Sequence, residues 1–221
     1  LQKRLRSLGH ATYSAYCDYL FSNEGMEREL PHLIDAVTTN TTDFFREPKH
    51  FDFLTDILLP KWCAANGNRR LKLWSAGCSI GMEPYTLTMV FSEFAEKNRG
   101  FSYHILATDI SNDALRKAAQ AVYDEERVLP VPKHLKHKYL MRSKVRAKKL
   151  VRVVPELRRM VEFRRLNFME EFSMKDPKDI IFCRNVIIYF DRPTQEQLFI
   201  KFCRILRPGG FLFIGHSESI T

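Results

Sequence analysis

The sequence predicts an α/β fold with a small all-helical domain in front of it. Residues 1–68 hold only helical periodicity, and from Leu71 onward short apolar runs alternate with amphipathic stretches. A turn marked by Gly77 and Gly81 joins the first run to the first stretch. Strands alternating with helices in this order build a parallel sheet with crossover helices.

The elements follow in turn. LQKRLRSL places Leu1, Leu5 and Leu8 on one helical face, with Lys3, Arg4 and Arg6 opposite. YSAYCDYLF and MERELPHLIDAV predict two further helices, the second with Leu30, Leu33, Ile34 and Val37 at helical spacing. After the polar break TTNTT, the stretch DFFREPKHFDFLTDILLPKW puts Phe51, Leu54, Ile57 and Leu58 on one face, and Pro60 followed by NGNRR marks its end. A helical domain with its linker is expected over 1–68 and a sheet domain over 69–221.

LKLWSA is the first strand. The next helix opens at Glu83-Pro84, where proline suits a first turn, and carries the stripe Leu87, Val90, Phe91, Phe94 and Ala95. YHILATD is the second strand, and Ser111 is placed to cap a helix carrying Ala114, Leu115, Ala118, Ala119 and Val122. MVEFRRLN, DIIFCRNV and FLFIGH supply three more strands, with TQEQLFIKFCRIL as the helix between the last two. The alternation in LVRVV predicts a β-hairpin within an insertion over about 133–163.

With 45% hydrophobic residues in 221, the chain can bury one sizeable core or two modest ones. No apolar run approaches a membrane span and no leader-like series opens the chain, so no membrane insertion and a cytoplasmic location are expected. Five cysteines without a C-x-x-C pair argue against a zinc knuckle or a disulfide framework and are read as reduced, mostly buried thiols. The net charge is +9, but residues 127–155 alone carry ten Lys or Arg and no Asp or Glu. Basicity is therefore a local device, either a solvated surface or a patch for an acidic partner.

Ligands of open parallel sheets sit beyond the carboxyl ends of the strands. The turn WSAGCSIGMEPY lies there, yet position 79 is serine where a dinucleotide fingerprint needs its middle glycine. Glu83 in the following first turn would repel a phosphate but can accept hydrogen bonds from an ammonium group. Asp109 ends the second strand, a place suited to both hydroxyls of a ribose. Together these describe S-adenosylmethionine, which carries adenosine, a sulfonium and an amino-acid tail. Asn185 ends the strand DIIFCRN, where a polar group is costly unless used, and Asn167 ends the preceding strand in the same way and could read an adenine edge.

TTNTTDFFREPKHF, WSAGCSIGMEPYTL, IFCRNVIIYFD and LRPGGFLFIGHSES, in this order and spacing, resemble the CheR family of chemotaxis receptor methyltransferases. The resemblance covers nearly the whole chain. It implies a Rossmann-like class I methyltransferase sheet with an inserted β-subdomain, behind a small helical domain. It implies transfer of methyl from S-adenosylmethionine to glutamate side chains on the cytoplasmic helices of methyl-accepting chemoreceptors, leaving S-adenosylhomocysteine. By motif position Asn40, Thr42 and Arg46 would reach the cofactor from the linker, Arg46 toward its carboxylate. Gly77 would line the turn, Glu83 would take the amino group and Asp109 the ribose. Asn167, Phe168, Asn185 and Val186 would meet the adenosine and methionine portions. Tyr189 would lie beside the transferred methyl as a hydrogen-bond donor, with Arg184 as a second candidate donor.

No metal and no nucleic acid are expected, and a monomer is. The stretch MRSKVRAKKLVRV lacks the glycine-containing loop on which many relatives dock a receptor peptide, which counts against a peptide tether and leaves that question open. The chain begins inside a helix and stops at HSESIT, and is read as trimmed, lacking a final hairpin. Two other classes stay open: a nucleic-acid methyltransferase, favoured only by the basic segment, and a non-catalytic module that binds cofactor and receptor. Against the former, Asn185 is followed by Val-Ile-Ile and not by the Pro-Pro-aromatic run often found where exocyclic base amines are methylated.

Overall fold

The structure is a computed structural model that describes every residue except 173, 175 and 219–221, and of residue 146 the backbone alone. Four short helices open the chain: α1 (Gln2–Leu8), α2 (Tyr13–Leu20), α3 (Asn23–Arg28) and α4 (Leu30–Val37). Thr12 and Ser22 cap α2 and α3, their hydroxyls accepting from the Ala15 and Gly25 N–H groups. The stretch expected as one helix, MERELPHLIDAV, is broken at Glu29. Pro31 has no N–H to give a preceding turn and fits instead into the first turn of α4.

Leu5, Tyr16 and Leu20 make a small core, with Leu30 and Leu33 packed against it. Leu1, Leu8 and Val37 are exposed, because helices this short turn little more than one face toward their neighbours. Arg4, expected on the outward basic face with Lys3 and Arg6, folds inward. Its guanidinium donates to the buried carboxylate of Glu29, which also accepts from the Tyr16 hydroxyl at 2.9 Å.

Next come α5 (Lys49–Phe53), a π-helical turn over Leu54–Leu58, and α6 (Leu59–Asn66). The wide turn shifts the register, so Phe51, Leu54, Leu58 and Leu59 are buried while Ile57 is exposed. Pro60 does not end the helix. It opens α6, where its missing N–H falls in a first turn. These buried residues belong to the same cluster as Leu71, Leu73, Ile105, Ile180 and Phe182. Packing therefore divides the chain after α4 and not near residue 68.

The sheet domain contains β1 (Leu71–Ala76), α7 (Met82–Lys97), β2 (Tyr103–Asp109) and α8 (Asn112–Gln120). An insert follows: β3 (Val122–Asp124), α9 (Lys133–Tyr139), β4 (Leu140–Arg142), β5 (Leu150–Val153) and α10 (Pro155–Arg158). The chain returns with β6 (Val161–Arg165), β7 (Lys178–Cys183), α11 (Arg192–Ile205) and β8 (Leu206–Ile214). The strand order is β6-β2-β1-β7-β8, all parallel, which is the Rossmann-like doubly wound order.

Alternation along the strands sorts the core into two layers. Leu71 and Leu73 face α7 and the α5–α6 rod, whereas Trp74 and Ala76 face Phe202, Leu198 and Ile205 of α11. Trp74 Nε1 donates to Thr108 Oγ1 at 2.9 Å, tying β1 to β2 from inside this second layer.

The insert forms an antiparallel sheet, β3-β5-β4. The hairpin expected from LVRVV is β5 with β4. The third strand lies outside the expected span: Val122, placed in the sequence on the stripe of α8, begins β3 after α8 stops at Ala121 with φ +55°. Acidic groups meet part of the basic segment, Lys138 donating to Glu93 at 2.7 Å and Arg142 pairing with Glu125 at 3.5 Å. Cys78 and Cys183 are buried, and burial pushes both thiols up, while Cys17 and Cys203 are exposed, contrary to the expectation of mostly buried thiols.

The Arg4 hydrogen bond, with the Tyr16 hydroxyl beside it, holds Glu29 below its ordinary value of 4.5 against the opposing effect of burial. A depressed carboxylate contributes stability that is present above 4.5 and is lost as pH falls through the lower folded value. Glu29→Gln is expected to destabilise the helical domain by about 1–3 kcal/mol near neutral pH. The gap to wild type should narrow in acid, and urea unfolding followed by circular dichroism on both sides of 4.5 measures it. Equal stability near neutral pH would show that the cluster adds nothing.

Candidate functional site

Strand order reverses between β1 and β7, and a cavity of about 370 Å³ opens there, at the carboxyl ends of the strands. Its wall brings together all of the residues singled out in the sequence: Asn40, Thr42 and Arg46 from the linker, Gly77 and Glu83 after β1, Asp109 after β2, Asn167 and Phe168 after β6, and Arg184, Asn185, Val186 and Tyr189 after β7.

The turn after β1 is shaped by close approach. Gly77 has φ +84°, and a Cβ there would lie 2.5 Å from Val186 Cγ2, so this glycine admits a neighbouring strand's side chain to the cavity wall. Gly81, the second glycine that marks this turn, serves packing, since its missing side chain makes room for Ala118 of α8. Ser79 has φ +50°. Its N–H donates to Asp109 Oδ2 at 2.7 Å and its hydroxyl to the Asn40 carbonyl at 3.0 Å, joining turn, strand tip and linker.

The charged groups are held in a network. Glu83 accepts from Ser75 Oγ at 2.7 Å and from Arg184 Nε at 2.8 Å. Arg184 also donates to the Arg46 carbonyl at 2.7 Å and contacts His50 Nδ1 at 3.2 Å and Glu47 Oε2 at 3.5 Å. Its guanidinium lies against the Phe51 and Phe182 rings, and its side chain is 3% exposed. Arg184 is thus an internal tie that fixes Glu83, and it is turned away from the mouth where a donor to substrate is needed.

Burial alone would raise the Glu47 carboxyl, but the His216 N–H, the Arg184 guanidinium and the Asn185 amide outweigh it and leave Glu47 lowered. Burial, then Arg184, keeps His50 below its ordinary value of 6.5. Asp109 accepts a second backbone N–H, from Ser111, at 2.9 Å, and burial raises its carboxyl despite these bonds.

Other expected residues carry structural duties too. Asn167 Oδ1 accepts the Met169 N–H at 3.0 Å and its Nδ2 donates to Glu170 at 3.1 Å, so the amide is largely engaged in its own turn. Phe168 packs edge-on against Trp74 and Phe202. Tyr189 is 64% exposed at the cavity rim. Arg46 donates to the Thr41 carbonyl at 3.4 Å and has no carboxylate partner among the described residues.

Residues 40–221 match the family described as CheR methyltransferase, SAM binding domain, and residues 1–38 match CheR methyltransferase, all-alpha domain. The chain belongs to the CheR methyltransferase family. It is 43% identical along its whole length to the chemotaxis protein methyltransferase of Borreliella burgdorferi, of which it covers 80%. It is 40% identical to chemotaxis protein methyltransferase 2 of Pseudomonas aeruginosa and 36% identical to the chemotaxis protein methyltransferase of Escherichia coli, each matched over the whole chain, covering 77% and 75% of those proteins. The two CheR domains meet at 38–40, where packing also divides the chain.

The residues of this CheR domain fit the S-adenosylmethionine that its family description names. Arg46 offers a guanidinium with no carboxylate partner among the described residues, Glu83 and Asp109 keep lone pairs to spare, and the wall beside them includes Phe168 and Val186. Sequence reasoning missed Ser75, Ser79, Glu47, His50 and Glu218. Ser79 was read as a missing glycine, Ser75 was read only as part of the first strand, and Glu47, His50 and Glu218 lie far in sequence from the groups they meet.

Arg184→Met is expected to destabilise the CheR domain by about 3–5 kcal/mol, because Glu83 is left buried, and Glu47 half-buried beside it, without their shared cation. Thermal unfolding measures it, and a loss below about 1 kcal/mol would mean that water replaces the guanidinium.

Proposed function

We propose that this chain transfers a methyl group from S-adenosylmethionine to glutamate side chains on the cytoplasmic helices of chemoreceptors, forming glutamate methyl esters. The observation that carries the reading is one cavity bordered by an unpaired guanidinium and two carboxylates with no phosphate-type glycine nest, in a chain 43% identical to a chemotaxis protein methyltransferase. Arg46 holds the cofactor carboxylate, Glu83 its ammonium and Asp109 its ribose hydroxyls, while Phe168, Asn185 and Val186 border the base and the methionine arm. Asn167 contributes through the turn it stabilises.

When bound, the cofactor supplies an electrophilic methyl group on a sulfonium. A glutamate side chain, with an ordinary pKa of about 4.3, is already ionised near neutral pH, so no residue of this chain has to remove a proton. What the residues contribute is alignment and the replacement of the carboxylate's water by oriented donors. Tyr189, at the rim, is the donor to the attacking carboxylate. Arg184 acts one step back, by fixing Glu83.

Among the described residues no helix is long and apolar enough to cross a membrane, and the reading places the protein in the cytoplasm beside the receptors' inner domains. Lys3 and Arg6, with the basic residues of the insert, form the surface for acidic receptor helices. Arg4 leaves that surface, being bound to Glu29.

Labelled methyl transferred to receptor cytoplasmic fragments, and released by mild base as from a carboxyl ester, tests the reading. Label on RNA or DNA would favour a nucleic-acid enzyme, and none on any acceptor a non-catalytic module. Tyr189→Phe is expected to lower turnover by about 10- to 100-fold with S-adenosylhomocysteine affinity unchanged. Unaltered turnover would remove Tyr189 from the chemistry. Asp109→Asn is expected to weaken cofactor binding about tenfold in calorimetry, since the ribose loses its charged acceptor.

A further inference from the structure

The segment HSES follows β8 and is not among the residues that line the cavity. Glu218 within it nevertheless makes an unusual set of contacts. Its Oε1 accepts the N–H groups of Val186 at 2.9 Å and Ile187 at 2.8 Å, and its Oε2 accepts those of Asn185 at 2.9 Å and Gly215 at 2.6 Å. One carboxylate therefore takes three consecutive backbone donors of the turn after β7 and a fourth from its own segment. From the other side, Gln195 of α11 donates to the Ile187 and Phe190 carbonyls at 3.1 and 2.8 Å. Turn donors and turn carbonyls are thus held by two different side chains.

The turn needs holding. Asn185 has φ +59°, a left-handed conformation that an isolated chain visits reluctantly, and Asn185, Val186 and Tyr189 all line the cavity from this turn. Gly215 lets the terminal segment come close enough to do it: a Cβ there would lie 2.6 Å from Asn185 Nδ2.

We infer that Glu218 is a positioning residue for the cofactor site, fixing the turn of Asn185, Val186 and Tyr189 by binding its backbone N–H groups as an internal anion. The inference rests on the cofactor reading of the cavity proposed above. Its chemistry follows from the donors: a carboxylate satisfies four N–H groups, whereas an amide of the same shape turns two hydrogens toward two of them.

The test is Glu218→Gln in the full chain, with S-adenosylhomocysteine as probe. Hydrogen exchange of the Asn185, Val186 and Ile187 amides is expected to accelerate while that of the β1 and β7 amides and the unfolding midpoint hold. S-adenosylhomocysteine affinity is expected to fall by about tenfold or more, the scale of one lost charge-assisted hydrogen bond. Unchanged exchange at 185–187, or faster exchange with unaltered affinity, would overturn the inference. Gly215→Ala provides a second route, pressing on Asn185 while leaving the Glu218 carboxylate in the chain. It should weaken the probe likewise, and full affinity in that variant would also count against the role. Wild-type protein that does not bind S-adenosylhomocysteine at all would instead reject the cofactor reading, an outcome separate from a variant that binds as well as wild type.

Discussion

The site depends on one buried cation. Arg184 sits under the carboxyl ends of β1 and β7, where it meets Glu83, Glu47, His50 and a main-chain carbonyl. Carboxylates this buried are unfavourable without a partner, and a partner this buried is unfavourable without several acceptors. The arrangement satisfies both demands. The guanidinium also fixes Glu83 in the cavity wall, while being itself too enclosed to reach a substrate. A charge that the sequence offers as a donor to substrate is, in space, what holds another charge in place.

Around this pair the backbone is forced into conformations that the side chains then exploit. Gly77 at φ +84°, Ser79 at φ +50° and Asn185 at φ +59° all lie at the tips of neighbouring strands. Such residues gather where a chain must turn sharply and still present N–H groups or amides to a cavity. Each is tied by a carboxylate or a close contact: Ser79 by Asp109, Asn185 by Glu218, Gly77 by Val186. The cost of the left-handed turns is offset by hydrogen bonds that also set the geometry of the wall.

Most of the sheet was legible in the sequence because its central strands β1, β2 and β7 are buried on both faces and read as apolar runs, and because Ser111 and Pro84 punctuate the helices in the usual way. The cavity residues were legible through position, since any polar residue just beyond a buried strand has few places to go. What escaped was whatever depends on a partner distant in sequence. Pro31 and Pro60 were read as interior or terminal, although each opens a new helix, and the π-helical turn that exposes Ile57 leaves no mark in the spacing. Arg4 looked solvent-facing until Glu29, 25 residues on, claimed it. Glu218 reaches back 31 to 33 residues to the turn it holds, and local periodicity carries no trace of that.

The attachments of the helical domain fall at the same rim. Asp35 of α4 accepts the Ser111 hydroxyl at 2.7 Å and the Asp113 N–H at 3.3 Å, at the start of α8, and the Asn40 carbonyl accepts the Ser79 hydroxyl at 3.0 Å. Ser111 and Ser79 also donate N–H groups to Asp109. The carboxylate at the tip of β2 is therefore set by a pair of serines, each of which hands its hydroxyl to the helical domain or its linker. Two domains with separate cores share one short set of hydrogen bonds, and that set surrounds the cavity. Any shift of α4 or of the linker must move Ser79 or Ser111, and with them the orientation of Asp109. The helical domain is in this sense part of the cavity wall, although nearly all of its own packing lies elsewhere.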